Sequence, residues 1–160
     1  MTKALSLFEL NSLVADVIDA TLSRSYWVEA ELSEARENRG HCYMELIEKN
    51  EGSNVPIARA SAKCWSNIWT LIKPAFIRIT GQEIRAGMKV MLQVHAQFHP
   101  QYGFSWIVDD INPEYTMGDM MRKRQEIIRQ LKAEGVFDLQ KELRLPMFAQ
   151  RIAVISSETA

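Results

Sequence analysis

Residues 26–65 alternate apolar and polar side chains in three successive runs, the two-residue period of half-buried strands. The first is Tyr26-Trp27-Val28-Glu29-Ala30-Glu31-Leu32. A polar connection, Arg36 to Gly40, leads to the second, His41 to Ile47. A Gly-containing turn, Glu51-Gly52-Ser53-Asn54, leads to the third, Ile57 to Trp65. Successive side chains on a strand point to opposite faces, so the runs sort into two surfaces. One carries Val28, Ala30, Leu32, Cys42, Met44, Leu46, Ala58, Ala60, Ala62 and Cys64, the expected core face, with a third strand small enough for another layer to approach closely. The other carries Trp27, Glu29, Glu31, His41, Tyr43, Glu45, Arg59, Ser61, Lys63 and Trp65. Rings beside Arg and Lys are what a single-stranded nucleic-acid platform needs, because bases stack on rings while cations meet phosphates. An ordinary solvated face is the alternative, since three glutamates share the surface.

The same periodicities predict the surrounding elements. Ser6 and Glu9 have capping-box spacing, and a helix is expected to about Ser23. Its apolar stripe (Phe8, Leu10, Leu13, Val14, Val17, Ile18 and Leu22) would close one end of a barrel. The stretch from Ser66 to Thr80 predicts two short helices divided at Pro74, with Ile68, Leu71, Ile72 and Phe76 facing the core. A fourth strand, Met88 to Phe98, turns Val90, Leu92, Val94, Ala96 and Phe98 inward. His99 to Gly103 is a hairpin loop, and Phe104 to Ile111 a fifth strand. His95 is expected to be a polar face residue, not a catalyst.

Five strands with a helix between the third and fourth is the order of an OB-fold barrel, which binds oligonucleotides on strands 2 and 3 and with loops 1–2 and 4–5. The expected fold class is therefore mainly β with helices: a five-stranded OB-fold barrel with an N-terminal helix. The nucleic-acid candidates are His41, Tyr43, Arg59, Lys63 and Trp65 on the strands. In the loops they are Arg36, Arg39, His99, Gln101 and Tyr102.

Composition narrows this only slightly. The net charge is −1, with residues 1–115 at −3 (eleven basic, fourteen acidic) and residues 116–160 at +2 (eight and six). A nucleic-acid site must then be a local patch. Cys42 and Cys64 both fall on the core face and are expected to be buried free thiols in a reducing cytosol, although neighbouring strands could bring them within disulfide reach. No Cys/His spacing suggests a metal, and no cofactor is expected. No signal peptide or membrane span is apparent, so a cytoplasmic protein is expected.

Beyond the fifth strand, Asn112-Pro113 closes the barrel and Met117 to Lys132 predicts a helix, stopped at Ala133-Glu134-Gly135. Its Arg122-Lys123-Arg124 run reads as a solvated face. Arg151 to Ser157 has the look of the first buried strand of a parallel α/β unit, after which the chain stops as though truncated. The expected organisation is a barrel over 1–115, a helical linker over 116–150 and the start of a further domain over 151–160. Two other functions fit the barrel: an RNA-binding OB domain of a translation-associated protein, or a protein-interaction scaffold, which Glu29, Glu31 and Glu45 favour. A self-contained enzyme fits least, as no paired carboxylates, nucleophile–base motif or phosphate-cradling Gly loop stands out.

The chain also resembles one family, the large subunit of bacterial exodeoxyribonuclease VII. The resemblance rests on Trp27-Val28 with Glu31, Gly40-His41 with Tyr43 and Leu46, and the third strand ending at Trp65. It continues through Gly87-Met88-Lys89-Val90, Tyr102-Gly103 and Asp110-Ile111. Its most specific block is Leu131-Lys132, Glu134-Gly135-Val136-Phe137-Asp138, Lys141, Leu145-Pro146, Arg151-Ile152-Ala153-Val154-Ile155-Ser156-Ser157 and Thr159-Ala160. Ala30 stands where the family has Gly. The resemblance implies an OB domain for single-stranded DNA followed by a nuclease domain that hydrolyses single strands from both ends into oligonucleotides, in the best-known members without a divalent metal. It also implies small helical subunits held through a C-terminal region absent here. The family's catalytic residues lie beyond Ala160, so this chain should bind without cutting.

Overall fold

The computed structural model describes residues 4–50, 52–144, 147–148 and 153–156. Their elements are α1 (Leu7–Thr21), β1 (Tyr26–Asn38), β2 (His41–Lys49), β3 (Pro56–Cys64), α2 (Ser66–Thr80), β4 (Lys89–His99), β5 (Gly103–Ile111) and α3 (Pro113–Ala133), then a 3₁₀ turn at Leu139–Glu142. The strands close a barrel in the order β1-β2-β3-β5-β4, with β3 and β5 parallel and all other pairs antiparallel. This is the OB-fold expected from the strand order.

One long strand makes closure possible. Strand β1 runs past Leu32, through the residues expected to be a loop, as far as Asn38. Its first half pairs with β4 (Trp27 opposite Gln93) and its second with β2 (Arg36 opposite Tyr43). The register shifts between Leu32 and Glu34, a bulge that bends the strand from one partner to the other. Leu32 sits at the pivot, fully buried, with its N–H donating to the Met88 carbonyl at 2.9 Å. The hydroxyl of Ser33, the shifted residue, donates to the Glu45 carboxylate at 2.9 Å.

The barrel interior holds Leu32, Cys42, Met44, Leu46, Ala62, Cys64, Val90, Leu92, Val94 and Val108, as the alternation requires. Ala58 departs from it: it is exposed, because the start of β3 diverges from the core. Helix α2 adds Trp69, Ile72 and Phe76 to this core. It is one helix, not two. Pro74 removes a single donor, on an exposed side of the helix where water can meet the Thr70 carbonyl. The helix is also rotated from the expected phase, so Trp69 is buried while Leu71 is 70% exposed.

The capping box of α1 forms as its spacing predicts: Ser6 Oγ accepts from the Glu9 N–H at 3.2 Å, and Glu9 accepts from the Ser6 N–H at 2.7 Å. The helix contacts β4, and Asn11 Nδ2 donates to the Pro100 carbonyl at 2.8 Å, but none of its residues is buried. It therefore packs lightly, against β4 and the loop that follows it. Helix α3 starts four residues earlier than expected. Asn112 caps it by accepting from the Tyr115 N–H at 3.1 Å, and Pro113 occupies the first turn, where its missing N–H costs nothing. Gly135, at φ +73, stops it as expected.

By contact the chain divides into two compact units, Met1–Met120 and Met121–Ala160. Of the strand expected over 151–157, residues 153–156 form no strand, as a parallel strand requires neighbours to pair with; the remainder lies outside the described residues.

Candidate nucleic-acid interface

Registers across β1, β2 and β3 set Arg36 opposite Tyr43 and Tyr43 opposite Lys63, in one row on the outer face. The Arg36 guanidinium carbon lies 5.9 Å from the Tyr43 ring centroid, within cation–π range. Its contact with Glu34, at 3.6 Å, joins two largely exposed side chains and holds it weakly. Towards the β1–β2 turn, His41 and Trp65 meet edge to face, with centroids 5.2 Å apart. The Ser66 N–H donates to His41 Nδ1 at 3.0 Å, so the neutral ring carries its proton on Nε2. That proton remains a donor. In the turn itself Arg39 is held at φ +50, beside Gly40 at φ +81.

The remaining candidates lie towards the other end of the barrel. Arg59 is on the same face as Lys63 but four residues earlier, ~13 Å along β3. The parallel register of β3 with β5 (Ala62 opposite Trp106) brings the β4–β5 loop towards that end. There His99 and Tyr102 have ring centroids 4.7 Å apart, and the Gln101 N–H donates to His99 Nδ1 at 3.1 Å. The candidates therefore form two groups. Arg36, Arg39, His41, Tyr43, Lys63 and Trp65 make one; Arg59, His99, Gln101 and Tyr102 make the other. Two placements are corrected: Arg36 stands on β1 and His99 ends β4, because both strands run longer than their apolar cores.

The glutamates on this surface are largely engaged. Glu45 meets Arg59 at 3.3 Å and Glu31 meets Lys49 at 2.7 Å. Glu29 accepts from the Tyr115 hydroxyl at 2.9 Å. On the opposite face of β1, Glu37 accepts from Lys73 and from the Trp69 indole at 2.8 Å. Among the described residues Arg39 and Lys63 make no ion pair. Inside, Cys42 and Cys64 face each other across β2 and β3 as free thiols, each pushed up to about 12 chiefly by burial, too high for reactivity. His95 Nδ1 lies 2.8 Å from the Asp109 carboxylate, to which Ser25 also donates. The Ser25 hydroxyl addresses Asp109, so the three make no nucleophile–base relay.

Trp27, on the outer face by alternation, and Tyr26 and Trp106, which the sequence does not single out, border a cavity of about 260 Å³ between β1 and β3. The small pair Ala58 and Ala60 leaves the room for it, which from the sequence reads only as space for another layer. Among the described residues no group of His, Cys, Asp and Glu could hold a metal, and no helix is long and apolar enough to cross a membrane.

Residues 5–112 match the model of a family described as the OB-fold nucleic acid binding domain. The chain is also similar to proteins named exodeoxyribonuclease 7 large subunit. It is 37% identical to that of Deinococcus radiodurans over 98% of this chain and 38% of the relative. It is 31% identical to that of Stenotrophomonas maltophilia, over 94% of this chain and 31% of the relative. For Xanthomonas euvesicatoria the identity is 32%, over 93% and 30%. The chain thus spans about a third of the length of these relatives. With a closed five-stranded barrel and a family match covering all of it, the chain belongs to the OB-fold nucleic acid binding domain family.

Proposed function

We propose that the outer face of β1, β2 and β3 binds single-stranded DNA, and that the protein is a large subunit of an exonuclease degrading single strands from both ends into oligonucleotides. The observation that carries the binding face is the Arg36–Tyr43–Lys63 row, which offers a ring for a base between two cations for phosphates. His41 and Trp65 extend it towards the turn; Arg59, His99, Gln101 and Tyr102 extend it the other way. The identity to large subunits over nearly the whole chain supports the parent activity. In this reading the barrel captures the strand and holds no catalytic group of its own. Hydrolysis belongs to residues outside this chain, and small subunits attach elsewhere in the parent, in the cytoplasm.

The test is fluorescence anisotropy of a labelled single-stranded oligomer titrated with this chain at two salt concentrations, beside Lys63→Ala and Trp65→Ala. Each substitution should weaken binding about five- to tenfold, the effect of one lost phosphate or stacking contact. Duplex should bind more weakly, an RNA of the same sequence no better, and the oligomer should remain uncut. Wild-type binding unaffected by either substitution would place the strand elsewhere on the protein.

A further inference from the structure

The wall of the barrel is incomplete at one place. Pairing of β1 with β2 begins only at Glu31 opposite Ile47, so Tyr26 to Ala30 are held by β4 alone. Across from them, Ala58 and Ala60 are too small to fill the space. The result is the cavity of about 260 Å³, with apolar side chains inside and Trp106 in its lining. Tyr26 and Trp27, 41% and 50% exposed, also line it, large rings that are part covered and part open to solvent.

We propose that this cavity takes one nucleobase of a single strand lying on the adjoining face, an inference that rests on the proposed binding of that face. Size is the first argument. The volume falls below the ~300–1,000 Å³ typical of drug-sized ligands and suits a single flat ring system. Continuity is the second. Arg59 belongs both to the rim of the cavity and to the β3 face, four residues from Lys63, so a strand whose phosphate meets Arg59 has a base at the mouth. Charge is the third: Glu29 and Glu48 also line the rim and repel phosphate, so the base enters and the backbone stays outside. Trp27 offers a stacking surface. The Trp106 indole N–H, which has no hydrogen-bond partner among the described residues, offers a donor to a base carbonyl.

The experiment is a titration of a labelled thymidine oligomer of ~12 nucleotides, within the span one OB fold covers, with wild type, Ala58→Phe, Trp27→Ala and Lys63→Ala. Ala58 is exposed, so a larger side chain there can occupy the cavity without entering the core; thermal unfolding verifies that each variant folds. The expected result is a loss of about tenfold in affinity for both Ala58→Phe and Trp27→Ala. Replacing single bases by abasic sites in turn should locate one position whose loss weakens wild type but not Ala58→Phe. Unchanged affinity in the two cavity variants, with Lys63→Ala still weakened, overturns the cavity and leaves the face intact. Absence of wild-type binding overturns both.

Discussion

Glu37 carries more of the barrel's construction than its position at the end of β1 would suggest. Its carboxylate accepts from the Trp69 indole at 2.8 Å and from Lys73, tying the first strand to the helix whose Trp69 and Phe76 complete the core. Those two donors, Lys73 foremost, hold its carboxyl below the ordinary value of 4.5, and Glu37 holds Lys73 above 10.5. A depressed carboxylate contributes stability that is present above its ordinary value and is lost as pH falls through the depressed one. A raised ammonium contributes stability present below its ordinary value and lost as pH rises through the higher one. Both contributions therefore coexist from about pH 5 to pH 10. Glu37→Gln should cost about 1 kcal/mol at pH 7, discounted for partial exposure. In urea unfolding, that difference should close on acidification below the ordinary carboxylate value. A difference constant from pH 3 to pH 8 would mean that the carboxylate's charge plays no part.

At the scale of elements, the β1–β2 hairpin sets a local cost against a placement. Two-residue turns of this kind need positive φ at both positions, which Asn-Gly meets at least cost. Gly40 complies, but Arg39 is a long side chain held at φ +50. Backbone strain retained beside a binding face is consistent with a cation wanted at that point. Arg39→Asn should therefore stabilise the protein by roughly 0.5 kcal/mol, seen as a raised unfolding temperature, while weakening single-strand binding severalfold. If stability falls, the turn is not strained; if affinity holds, the arginine serves no phosphate. The hairpin also shows what the sequence could reveal. Alternation from Tyr26 to Leu32 and from His41 to Ile47 located the strands, because one face of each is core. It could not show that β1 continues to Asn38, since Ser33 shifts the register and the polar residues beyond it meet solvent. For the same reason the pattern assigns Arg36 to a loop. The phase of α2 was obscured by Trp69, an aromatic whose burial depends on the Glu37 partner, and by Pro74, whose lost bond faces water. The cavity was hidden because it arises from strands that part, which no single strand's pattern records.

For the whole molecule, charge is the quantity that separates a local site from a general attraction for polyanions. The barrel half of the sequence is net acidic, residues 1–115 summing to −3, so no long-range field draws DNA to it. The proposed binding must come from the few cations on the outer face of β1, β2 and β3. Arg39 and Lys63 have no ion pair among the described residues, whereas Arg36 and Arg59 have carboxylate neighbours at 3.6 and 3.3 Å that a phosphate would have to displace. Two to four phosphates are then neutralised. For a single strand that corresponds to a slope of log K against log salt between about −1.4 and −2.8. Anisotropy titrations across a range of salt concentrations give this slope directly, and Lys63→Ala should reduce its magnitude by about 0.7. A wild-type slope steeper than about −4 would require cations that the barrel face does not possess. A shallow slope in the expected range, with affinity still sensitive to Trp65 and Trp27, would instead identify stacking as the larger part of the binding energy. Such a module depends on unpaired bases for its grip, which is the preference for single strands that the proposed function requires.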